Sequence, residues 1–151
     1  TGSNLLLWDF RGCDAAVLMQ WEVINASASC APGKGLLLKP ANEDPQVVNQ
    51  ALQIAPSQGG DRYVRVRTSF SVAAGAVTPE SMTQLFWTDP TAYFSGFKKR
   101  QAPLPPDGAP HVLWAFLAPH EVGQSITALR IDPINSTAQA EVRWIAVDTV
   151  R

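Results

Sequence analysis

Between Tyr63 and Val72 the chain alternates: Val64, Val66, Phe70 and Val72 fall on one side of an extended segment, and Tyr63, Arg65, Arg67 and Ser69 on the other. A period of two marks a strand with one face in a core and one face open to solvent or ligand. Short apolar runs of this kind recur along the whole chain, at 4–10, 17–24, 35–40, 51–55, 62–72, 83–88, 94–101, 111–117, 126–132 and 140–147. They predict nine or ten strands. Poor strand formers separate them, among them Ala31-Pro32-Gly33, Asp89-Pro90, Pro105-Pro106-Asp107-Gly108 and Asp132-Pro133. The best helical spacing, PQVVNQALQ at 45–53, is short and reads as a loop leading into a strand.

Many short strands without crossover helices predict an all-β fold, a two-sheet antiparallel β-sandwich of the jelly-roll kind. The last two runs, ITALRID and AEVRWIAV, read as a closing hairpin. Leu129 and Ile131 are set to oppose Ile145 and Val147, and the C-terminal strand to lie beside the N-terminal one.

The alternation also sorts the aromatic residues. Phe86 faces away from Leu85 and Trp87, while Val112, Trp114 and Phe116 share a face against His111 and Leu113, and Trp114 reads as core. Trp87 runs into the Thr88-Asp89-Pro90 turn and is followed by Tyr93, so these two are the expected ligand platform. Trp21, between Gln20 and Glu22, is the next candidate.

Composition narrows the function. The 151 residues are 46% hydrophobic and only 17% charged, which favours a globular fold over disorder, with residues 4–151 as one domain and Thr1-Gly2-Ser3 as a cloning remnant. A net charge of −1 gives no attraction to nucleic acid or to anionic membranes. No apolar run reaches the roughly 18 residues that a membrane-spanning helix needs. Cys13 and Cys30 have neither metal-ligand spacing nor a redox motif, and either a bridge or two thiols is compatible with their positions. A bridge would place the chain in a secreted or periplasmic setting.

Catalytic signatures are missing from the sequence pattern. His111 and His120 stand nine residues apart outside any metal-binding motif, and neither a nucleophile elbow nor a phosphate-binding loop occurs. Aromatic rings are the chemistry on offer, since the C–H-rich faces of sugars stack on them while polar groups read the hydroxyls around the rim. Arg65, Arg67, Lys98 and Arg100 are the expected rim. As a cationic patch they would suit a uronate or sulfate on an acidic glycan, and otherwise they form a solvated strand face.

The order of several segments carries a resemblance. NEDP at 42–45, RYVRVR, LFW at 85–87, the long FSGFKKRQAPLPPDGAPHVLWAFL stretch and ITALRIDP ending in V-x-W-I-x-V together resemble the galactose-binding-like jelly-roll modules attached to carbohydrate-active proteins. The likeness runs from Leu5 to Val147. It implies a non-catalytic carbohydrate-binding module, monomeric, secreted and tethered to a catalytic domain, with polysaccharide or oligosaccharide as its partner. Such modules often hold one structural calcium ion near the termini, and Asp9 and Asp148, on first and last strands expected to be neighbours, are its candidate ligands. The alternative is a structural or protein-interaction sandwich within a larger glycan-processing enzyme, whose aromatic residues would all be interior.

Overall fold

The computed structural model describes residues 3–55, 63–90, 94 and 98–150, with side chains from Leu6 onward. Tyr93 therefore lies outside the described residues. Eleven strands appear among them: β1 (Ser3–Asp9), β2 (Glu22–Ile24), β3 (Ala26–Ala31), β4 (Gly35–Pro40), β5 (Gln46–Asn49), β6 (Tyr63–Val72), β7 (Met82–Thr88), β8 (Lys99–Pro103), β9 (His111–Leu117), β10 (Ala128–Asp132) and β11 (Ala140–Val150). Two single-turn helices, α1 (Ala15–Leu18) and α2 (Pro119–Val122), sit in connections.

The strands form two antiparallel sheets. The first runs β3-β4-β11-β6-β9, with β1 pairing β11 beyond the end of β4; the second runs β2-β5-β10-β7-β8. The expected two-sheet sandwich is thus observed. Its core lies where the two inner faces meet, with Val64, Val66, Phe70 and Val72 from β6 facing Leu85 and Trp87 from β7 and Leu129 and Ile131 from β10.

Several local expectations are corrected. The run at 17–24 divides into α1 and β2, because Asp14 caps Ala16 N–H and starts a helical turn before the strand. Residues 51–55 reduce to one bridge between Ile54 and Ile126, while β5 occupies part of the stretch read as a loop. The last two strands form no hairpin. β10 and β11 belong to opposite sheets, so Leu129 and Ile131 oppose Ile145 and Val147 across the core rather than along a ladder. The first and last strands are neighbours as expected, with Trp8 opposite Ile145 and Asp9 opposite Trp144.

Covalent and backbone devices pin the two ends of the β3–β4 ladder. Cys13 and Cys30 are bridged, tying the α1 connection to β3. Asn25 adopts a left-handed conformation between β2 and β3, which lets the chain pass from one sheet to the other. Gly35 takes φ of +118° where β4 runs against β11, and a Cβ there would stand 2.5 Å from the Val142 carbonyl oxygen.

Candidate functional site

The site begins with the register of three adjacent strands. In the first sheet Trp114 pairs with Arg67, Phe116 with Arg65 and Val112 with Ser69 across β9 and β6. On the other side of β6, Arg65 pairs with Asp148, Arg67 with Ala146 and Ser69 with Trp144. A period of two places all of these on the outer face. Trp144 arrives there through a bulge: the extra residue Arg143 shifts the phase, so that Val142 and Ile145 both point inward while Trp144 turns outward.

Two aromatic rings dominate this face. Trp114 is 49% exposed and Phe116 46%, with rings parallel to within 14° and centroids 6.2 Å apart. The Arg67 and Arg65 guanidinium groups lie over the indole at 5.3 and 5.8 Å from its centroid. Beneath them Asp148 is almost fully buried, and it takes both Arg65 Nε, at 2.7 Å, and Arg65 Nη2. Hydrogen bonding to Asp148 holds the Arg65 guanidinium above its usual basicity. Arg67 Nη2 is 3.7 Å from the same carboxylate, and Arg67 Nε is buried without a hydrogen-bond partner among the described residues.

This arrangement reverses the expectation for 111–117. Val112, Trp114 and Phe116 do share a face, but it is the outer one, and Leu113, Ala115 and Leu117 fill the core. The correct facing was available from β6, because the strand that pairs with β9 sets Arg67 beside Trp114.

The structure also removes Trp87 from the expected platform. Trp87 is 1% exposed, its Nε1–H donates to the Glu121 carbonyl at 2.9 Å, and Arg100 covers its ring at 5.1 Å. A ring inside the sandwich cannot stack on a polysaccharide. Trp21 is likewise buried, packed edge-on against Trp8 and Phe10, although it borders two shallow clefts of about 260 and 290 Å³.

Among the expected rim groups, Arg65 and Arg67 meet at the site and the other two do not. Lys98 and Arg100 belong to the β8 edge of the second sheet, where Lys98 pairs with Asp89 and Arg100 with Glu121. The Glu121 carboxyl is raised by burial, and the Arg100 guanidinium and Ala118 N–H outweigh this, leaving it below the usual range. Lys98 and Arg100 therefore form no single cationic patch with Arg65 and Arg67.

The outer face of the second sheet offers a contrast. Phe86 faces away from Leu85 and Trp87, as the alternation indicates, but it is Phe86 and not Trp87 that lies on the outer face, where Arg130 stands over it at 4.5 Å and over Phe94 at 5.9 Å, leaving Phe86 only 9% exposed. Arg130 is anchored by Asp132 and Asp44. Burial drives the Asp132 carboxyl up to about 6 against the lowering pull of Arg130.

Asp9 and Asp148 do not fit one calcium ion. Asp9 stands opposite Trp144, four residues along β11 from Asp148, a separation of about 13 Å at ~3.3 Å per residue. Each is already occupied by a guanidinium group, Asp9 by a two-pronged contact from Arg11 that lowers its pKa and Asp148 by Arg65. Among the described residues no group of three His, Cys, Asp or Glu side chains could hold a metal ion.

With the face and its strands defined, comparison with solved structures decides the fold. A xylan-binding module of carbohydrate-binding family 15 superposes with a TM-score of 0.61 over 99% of both chains at 14% identity. The fold is one shared with carbohydrate-binding modules of several families. The C-terminal family 6 module of a marine laminarinase from Zobellia galactanivorans matches at a TM-score of 0.61 and 8% identity, over 96% of this chain and 99% of that one. A mutant family 29 module complexed with mannohexaose gives 0.63 at 8% identity, over 99% and 94%. No family model matches the chain, and no curated protein matches it in sequence. The likeness therefore lies in the backbone, which is shared while the side chains differ.

Proposed function

We propose that this chain is a non-catalytic carbohydrate-binding module that holds a polysaccharide or glycan on the outer face of its first sheet. The observation that carries this reading is the exposed pair of parallel rings, Trp114 and Phe116, set beside Arg65 and Arg67 on a rigid strand pair. Large aromatic rings are normally buried, and two half exposed side by side mark a binding surface. The rings supply stacking area at little cost in side-chain entropy, and the guanidinium donors can read ring hydroxyls.

The fold neighbours support the class of ligand, since they include proteins described with xylan and with mannohexaose. The disulfide supports secretion, because such bridges persist in oxidising compartments. Among the described residues no helix is long and apolar enough to cross a membrane. In this reading the module is tethered to a catalytic domain and concentrates that domain on its substrate.

Affinity electrophoresis in gels containing soluble polysaccharides tests the proposal. The wild type is retarded by at least one polymer, Trp114→Ala migrates freely through the same gel, and both keep the near-ultraviolet circular dichroism of the fold. Equal retardation of the two proteins would remove Trp114 from the site.

A second reading, the protein-interaction sandwich, does not have the wholly interior aromatic residues expected of it, since Trp114 and Phe116 are exposed, but one observation favours it. Leu7, 54% exposed, extends the apolar area of this face across β1, as a protein-interaction sandwich would. It predicts no retardation in any gel together with a concentration-dependent increase in sedimentation coefficient.

A further inference from the structure

Beside the rings two guanidinium groups, Arg65 and Arg67, share the one carboxylate of Asp148, and the excess charge is concentrated on one residue. Arg65 spends its fork on Asp148 in a two-pronged pair. Arg67 approaches the same oxygen only to 3.7 Å, beyond hydrogen-bonding distance, and its Nε has no partner among the described residues. Asp9 is taken by Arg11, and Glu141 by Arg143, so neither neutralises Arg67. A guanidinium group whose donors are incompletely used is a costly arrangement unless a ligand completes it.

Position gives that charge a purpose. Arg67 is 5.3 Å from the indole centroid of Trp114, so a sugar stacked on the exposed rings would carry its substituents past the guanidinium group. We propose, resting on the reading of this face as a glycan site, that the module selects uronate-bearing polysaccharides and that Arg67 receives the uronate carboxylate. The neighbouring pair shows the geometry, since a planar carboxylate already sits in the fork of Arg65. A ligand carboxylate on Arg67 would balance two guanidinium groups with two carboxylates, giving charge-assisted bonds of the strong class.

Carboxyl reduction isolates the charge, because it converts each uronate to its neutral sugar and leaves the backbone linkage intact. Retardation is measured in polygalacturonate, alginate and glucuronoxylan, each beside its carboxyl-reduced form, with a sulfated galactan as a further arm. The wild type binds at least one uronate polymer about tenfold or more tighter than the reduced form, and this preference shrinks as salt is added. Arg67→Gln brings the ratio toward one, and Arg67→Lys, which keeps the charge and loses the fork, falls between. Thermal denaturation of both variants confirms that they fold, and the salt dependence of the wild type needs no variant.

Equal binding of native and reduced polymers would overturn the uronate inference while leaving glycan binding intact. Tighter binding of the sulfated galactan than of any uronate would also overturn it. Retention by none of the polymers, native or reduced, would overturn the glycan reading together with it.

Discussion

Trp114 and Trp87 are the same residue type on strands of similar length, and their environments assign them opposite roles. Trp114 keeps half its surface in water, so Trp114→Ala is expected to change unfolding free energy by less than about 1 kcal/mol and, with the glycan seated on this face as proposed, to abolish polysaccharide binding. Trp87 lies in the core with its indole N–H satisfied, and Trp87→Ala lowers stability by about 3–5 kcal/mol in urea titrations. Asp148 behaves differently from both. Removing its carboxylate leaves Arg65 and Arg67 side by side in a partly buried setting, and Asp148→Ala is expected to cost about 3 kcal/mol. Unchanged urea midpoints for Asp148→Ala would show that solvent screens the pair.

At the scale of elements, legibility followed side-chain bulk. β6 was readable because small branched residues alternate with arginines, and its inner and outer faces are as the pattern indicates. β9 was equally regular but misassigned, since both of its faces are apolar and only pairing with β6 decides between them. β3, with the sequence ASASCA, carries no hydrophobic signal at all and exists because β4 offers it a ladder and the disulfide holds its end. Replacing Cys13 and Cys30 by Ser should therefore lower stability by about 3 kcal/mol, measured against the wild type without reductant. Gly35→Ala is expected to cost more than about 1 kcal/mol, because it forces both a strained φ and a contact with the β11 backbone. A neutral Gly35→Ala would mean that β4 and β11 separate readily at that point.

For the whole molecule, the two outer faces are finished in different ways. The second sheet covers Phe86 with its own Arg130, anchored to Asp132, whereas the first leaves two rings half bare. The covering has a pH signature. Asp132 holds its proton more tightly when folded, with a pKa near 6 against 3.8 unfolded, so its contribution to stability is full below about 4 and is lost as pH rises through 6. Asp132→Asn should flatten that part of the stability profile, and an unchanged slope between pH 4 and 7 would contradict the burial argument. What the sequence could not disclose is which face stays open, because covering depends on residues as distant in the chain as Asp44 and Arg130. The most direct measurement is the shift of the five indole N–H resonances on titration with a retained oligosaccharide. Binding on the first sheet moves the Trp114 resonance, with any further change confined to Trp144, while those of Trp8, Trp21 and Trp87 stay in place. A stationary Trp114 resonance under saturating ligand, with amide shifts clustered around Phe86 and Arg130 instead, would place the glycan on the opposite face and contradict the account.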